Sequence, residues 1–126
     1  MDVFQNNEIE TIVDNVIDGI REKKGKEIVC INLSALENSI CRYFIICHGD
    51  SNTQVSAIAF GIEKVMEQKL NEKVWRKQGL ENAHWVLLDY VDVVVHIFQK
   101  EFRNFYNLEE LWADGQFDVI KNEYLH

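Results

Sequence analysis

"HWVLLDYVDVVVHIF", residues His84–Phe98, is mostly apolar and rich in β-branched residues, yet it carries a Trp, two Asp, a Tyr and two His. Such runs form strands, and this one reads as two strands around a turn. With Asp89 opposite Asp92, the loop is Tyr90-Val91. Leu88 then faces Val93, Leu87 faces Val94, Val86 faces Val95, and Trp85 faces His96. Side chains alternate between the two faces of a strand. One face collects Val86, Leu88, Val93, Val95 and Ile97 and must pack on helices. The other collects Trp85, Leu87, Asp89, Asp92, Val94, His96 and Phe98. A slip of one residue would carry charge into the core, so the pattern strongly specifies its faces. The loop has no Gly or Asn, which leaves the turn type open.

The mixed face admits three readings. One is a cross-strand Trp–His pair under a helix, with the Asp groups capping a turn. The second is an interaction surface with Trp85 and Tyr90 as anchors and the Asp pair as rim charges. The third is a catalytic or metal site of Asp89, Asp92 and His96. Geometry opposes the third: Asp92 and His96, four apart on one strand, stand roughly 13 Å apart, too far to share a metal unless another element bends in.

Outward from the hairpin, Ile9, Ile12, Val13, Val16, Ile17 and Ile20 mark an amphipathic helix from about Asn7 to Lys23. "EIVCINL" (Glu27–Leu33) and "RYFIIC" (Arg42–Cys47) read as strands, adjacent and antiparallel. Val55, Ile58, Ala59, Ile62, Val65, Met66 and Leu70 mark a second helix, with Ser51 or Asn52 as N-cap. "KVWRKQ" (Lys73–Gln78) is a third strand, and strand–helix–strand implies a parallel crossover. "KEFRNFYNLEELW" (Lys100–Trp112) is helical, with Phe102, Phe105, Tyr106 and Trp112 as packing residues. The expectation is an α/β domain of the mixed α+β kind: a five-stranded mixed sheet covered by helices, in the order α-β-β-α-β-β-β-α. Residues 1–112 form one domain, and 113–126 are a C-terminal extension that could be a strand, a helix, a dimer arm or a disordered end.

The 126 residues carry a formal charge of −8 and are 47% apolar. So acidic a chain is poorly suited to phosphate backbones, which are bound by Lys and Arg. It suits a basic protein patch, or the charge simply maintains solubility. Three cysteines (Cys30, Cys41, Cys47), no Cys-x-x-Cys pair, no signal-like start and no long apolar run point to a soluble, reduced, cytoplasmic protein without a membrane segment.

"CHGDSN" (Cys47–Asn52) places Gly49 between a strand and a helix N-terminus. Such a junction can hold a phosphate, but it is also the ordinary route from strand to capped helix, which we favour. A nucleotidyltransferase would need paired carboxylates for metal ions; Glu63 and Glu67 are present on the helix, but no Asp-x-Asp strand follows. His48, His84 and His126 have no evident partners and read as packed or surface residues. No nucleophile–base signature is present. Catalytic residues, metal ligands and cofactors are therefore not expected.

At the motifs "YFIICHGDSNTQVSAIA" (Tyr43–Ala59), "GLENAHWVLLDYVDVVVHIFQ" (Gly79–Gln99) and "FRNFYNLEELW" (Phe102–Trp112), the chain closely resembles the ribosomal silencing factor family, also called the Iojap family. With the leading helix, the resemblance runs from about Ile9 to Trp112. It implies a nucleotidyltransferase-like fold without that chemistry. It further implies a non-catalytic translation repressor that binds the large ribosomal subunit through its fourteenth protein. Occupying the face where the small subunit docks then blocks joining when nutrients are scarce. Trp85, Asp89, Tyr90, Asp92 and His96 match the family pattern and are the expected partner-binding residues. The resemblance also admits a homodimer, and it implies neither a membrane nor direct sequence-specific nucleic-acid contact. The alternatives are a large-subunit assembly or maturation factor and, more remotely, a nucleotide-handling enzyme. Three positions depart from the pattern: Arg42 stands where related sequences often carry Asp, Thr53 where they carry Arg, and Gln78 where they carry Glu.

Overall fold

In a computed structural model, described for residues 3–37 and 39–120, six strands form one sheet. The elements are α1 (Val3–Glu22), β1 (Lys26–Asn32), β2 (Tyr43–Gly49), α2 (Asn52–Leu70), β3 (Arg76–Gln78), β4 (Trp85–Asp89), β5 (Val93–Gln99), α3 (Lys100–Tyr106), α4 (Leu108–Leu111) and β6 (Gln116–Val119). The strand order is β3-β4-β5-β2-β1-β6. β2 and β5 pair in parallel, and every other neighbouring pair is antiparallel.

The mixed α+β class stands, with two corrections. The sheet has six strands, because the C-terminal extension supplies β6, paired with β1 from Val29↔Val119 to Asn32↔Gln116. Phe117 and Val119 alternate with Gln116 and Asp118, but over only four residues, and all four are exposed; main-chain pairing holds the strand. The last helix also divides. Asn107 adopts φ +48, a left-handed conformation that Asn tolerates, and α3 stops there before α4 begins. His126 lies outside the described residues. β3 is shorter than "KVWRKQ" suggested and sits at the sheet edge, running in the direction of β2 but separated from it by β4 and β5.

The sheet has a core on each face. On one, Ile28, Cys30, Ile45, Cys47, Val86, Leu88, Val95 and Ile97 pack under α1 and α2. The two helices approach closely at Gly19, where a Cβ would lie 2.6 Å from the Ile62 Cα. Ser51 caps α2, its side chain accepting from the Gln54 N–H. The other face buries Val29, Ile31, Phe44, Ile46, Val94 and Phe98, with Leu108 from α4 across them. This second face carries the candidate site.

Candidate partner-binding site

The hairpin register differs from the sequence expectation by two residues. Asp89 pairs with Val94, Leu88 with Val95, Leu87 with His96, Val86 with Ile97 and Trp85 with Phe98. A shift of two preserves the faces, since the side-chain period is two. The turn lies one position later than expected. The Tyr90 N–H donates to the Val93 carbonyl at 2.9 Å, leaving Val91-Asp92 as the loop. The Asp92 N–H donates back to the Tyr90 carbonyl at 3.0 Å around Val91, whose φ is +74. A β-branched residue resists that conformation. Asp89 imposes it: its Oδ1 accepts the Val91 N–H at 2.8 Å, a side-chain turn available to Asp and Asn.

The five expected residues separate by position. Trp85 is half-buried, and its Nε1–H donates to Nδ1 of His96 at 3.0 Å. They are diagonal neighbours across the ladder rather than direct partners. Trp85 also stacks on Phe98, with ring centroids 5.0 Å apart, and lies 4.7 Å from the ring of Tyr106. His96 is buried, edge-on to Phe44, and burial pushes its pKa down to about 4. Asp89 is buried, with Oδ2 3.4 Å from the Arg76 guanidinium. Asp92 belongs to the turn rather than to the sheet face. It is half-exposed and lies 3.6 Å from Nε of Arg42. Arg42, one of the departures from the family pattern, is thereby engaged within the chain. Thr53 and Gln78 are exposed.

Tyr90 is the exception. It does not stand at the turn tip but is buried in the core under α1 and α2, and its hydroxyl has no hydrogen-bond partner among the described residues. Burial, with Glu63, Glu67 and Glu72 nearby, pushes its pKa well above the usual tyrosine value. The exposed tip residue is Val91.

The surface beside Trp85 comes from α3 and α4. Tyr106 and Phe105 meet edge to face at 5.2 Å, and both are exposed, as is Leu111. Trp112 packs edge-on to Phe44 at 5.4 Å. The sequence marked Tyr106 for packing, but nothing in its spacing linked it to Trp85. His48 and Arg103 were missed as partners: they are buried and 2.9 Å apart, though 55 residues separate them in the chain.

Chemically the face is aromatic. Among the described residues, no group of three or more His, Cys, Asp and Glu could hold a metal ion. A cleft of about 390 Å³ between α1, β1 and β6 contains Cys30, but burial, with Asp118 and Asp14 adding to it, pushes that thiol up to about 12. A nucleophilic cysteine needs the opposite shift. No helix among the described residues is long and apolar enough to cross a membrane.

The sequence matches the family described as "Ribosomal silencing factor during starvation" over residues 6–124. The chain belongs to the ribosomal silencing factor family. It is 42% identical to the ribosomal silencing factor RsfS of Halalkalibacterium halodurans over 112 residues, 89% of this chain and 92% of that protein. A crystal structure of a protein from Chromobacterium violaceum superposes with a TM-score of 0.79 at 30% identity, covering 92% of this chain and 96% of the other. A more distant relative is the mouse protein named "Mitochondrial assembly of ribosomal large subunit protein 1". It is 26% identical over 108 residues, covering 84% of this chain and 47% of that protein.

Proposed function

We propose that the protein is a cytoplasmic translation repressor that binds the large ribosomal subunit through its fourteenth protein and blocks joining of the small subunit by occupying that face. No reaction is needed; affinity and placement suffice. The observation that carries this reading is the aromatic ladder running from buried Phe98 through Trp85 and Tyr106 to exposed Phe105. Rigid aromatic side chains of this kind anchor protein interfaces. The charge of −8 supports a basic protein patch rather than ribosomal RNA as the docking target.

Within this reading Trp85 and Asp92 touch the partner. Asp89 and His96 shape the surface from below, and Tyr90 secures the turn from the opposite core. Tyr106 and Phe105 extend the contact area. The name of the mouse relative favours a second reading, in which precursor large subunits are bound during assembly.

The test is co-sedimentation of the protein with purified large subunits, small subunits, joined ribosomes and large-subunit precursors. Binding to mature large subunits, weakened by about tenfold or more in Trp85→Ala and in Phe105→Ala, supports the proposal. Phe105 is exposed, so its variant tests the surface without disturbing the core. Binding to precursors alone selects the assembly reading, and binding to none of the particles contradicts both.

A further inference from the structure

Arg103, in the middle of α3, is buried against the ends of β1 and β2. Its Nη1 donates to the Glu27 carbonyl at 2.7 Å and lies 3.5 Å from the Lys26 carbonyl. The Nε–H donates to Oε1 of Glu109, on α4, at 3.0 Å. The strand is shaped for this contact. β1 bulges against β2 between Lys26 and Val29, with Glu27 at φ +49. A bulge interrupts the ladder and re-aims the main chain, here at the guanidinium.

The remaining partner is Nδ1 of His48, 2.9 Å from Nη1. A guanidinium only donates, so Nδ1 must accept and the ring must be neutral, with its proton on Nε2. A protonated ring could not make this contact and would place two cations 2.9 Å apart. The other groups around His48 are known. Oε2 of Glu27 on β1 lies 3.8 Å from the same Nδ1. Asp50, just past β2, is paired with Lys26, and Lys100 stands at the start of α3. Glu27 is therefore ready to receive a charged imidazole when Arg103 is repelled. Burial, then Arg103, lowers the pKa of His48, while Glu27 and Asp50 oppose the shift and Lys100 adds to it.

Tyr106 lies three residues beyond Arg103 on the same short helix, with its ring 4.7 Å from Trp85. Residues three apart share a helix face, so the placement of one sets that of the other. We propose that the Arg103–His48 contact is a proton-operated latch: with His48 neutral it fixes α3 and holds Tyr106 against Trp85, and protonation of His48 releases both. Arg103 and His48 are positioning residues, remote from the partner. The consequence for ribosome binding rests on the docking reading above; the latch itself does not.

The latch is tested on the free, full-length protein by following the NMR resonances of His48, Tyr106 and the Trp85 indole from pH 8 to pH 5. That range stays above the titration of His96, near 4. In the wild type, Tyr106 and Trp85 move with the midpoint of His48. In His48→Asn, which keeps an acceptor for Arg103 but cannot ionise, they stay still. Motionless Tyr106 resonances while His48 titrates would overturn the latch, as would identical titration in His48→Asn. Arg103→Lys keeps the charge and loses the fork, so at pH 7.5 its Tyr106 resonances should be displaced from the wild-type positions in the direction that His48 protonation moves them. Wild-type shifts there overturn the latch independently of how His48→Asn folds. In a second arm, sedimentation with large subunits weakens in the wild type as pH falls through the His48 midpoint read from the spectra, and not in His48→Asn. Failure of the wild type to sediment at pH 7.5 contradicts the docking reading alone, because the spectra have already decided the latch.

Discussion

The indole Nε1–H of Trp85 donates to Nδ1 of His96, 3.0 Å away and two residues off its direct cross-strand position. A Trp N–H can only donate, so His96 is held neutral with its proton on Nε2. That Nε2 is buried with no hydrogen-bond partner among the described residues. The half-buried anchor of the site is thus oriented by a histidine that cannot readily ionise in place.

A pH dependence of stability follows. The pKa of His96 falls from the ordinary 6.5 to about 4 on folding, so below pH 6.5 the unfolded chain binds more protons than the folded one. The stabilising contribution is complete above pH 6.5 and is lost as pH falls from 6.5 towards 4. The loss amounts to about 3 kcal/mol from this residue at most. Urea unfolding at pH 7 and pH 4.5 measures it. His96→Asn keeps an acceptor for Trp85 without titrating, and its profile should be flatter over that window.

Val91 occupies a left-handed turn position at φ +74 that its branched side chain disfavours. Val91→Gly should raise unfolding stability by about 1 kcal/mol, because the strain relieved, about 1–3 kcal/mol, exceeds the unfolded-chain entropy that Gly adds, about 0.4–1 kcal/mol. Thermal unfolding measures the stability change. Loss of large-subunit binding in the same variant would place the tip in the interface.

Gly19 permits α1 to lie against α2. A methyl group there would sit 2.6 Å from the Ile62 Cα, a main-chain atom that cannot swing aside. Gly19→Ala should destabilise by about 1–3 kcal/mol despite the better helix propensity of Ala. Denaturant unfolding reads this directly.

All three cysteines are unpaired and buried, and burial pushes each thiol up to about 12. Alkylation by iodoacetamide at pH 8 should therefore be slow in the native protein and fast in denaturant. Rapid native labelling of any of them, located by peptide mass, would show that its cover opens.

The hairpin faces were legible because alternation has a period of two and survives any even error in register. The register itself was not legible, because the turn is fixed by the Asp89 carboxylate accepting from Val91 rather than by a Gly or Asn with a known loop length. Placing Tyr90 at the tip followed from that error, and one residue of turn position separates an exposed anchor from a buried ring. A strand was one of several open readings of the C-terminal extension, because an alternation of four residues, Gln116–Val119, is too short to decide it, whereas the helix break at Asn107 carried a signal in the Asn itself. The Trp85–His96 pairing could be read from one hairpin. The His48–Arg103 contact spans 55 residues and depends on a bulge at Glu27, which no local pattern announces.

The most direct test of the central claim is subunit joining. Purified large and small subunits are mixed at fixed concentrations, the protein is added in increasing amounts, and light scattering reports the joined fraction. The account predicts that joining falls as large subunits become occupied, with about one protein per large subunit at saturation, and that Trp85→Ala and Phe105→Ala restore it. Undiminished joining, with the protein shown by sedimentation to be bound to the large subunit, would contradict exclusion by occupancy.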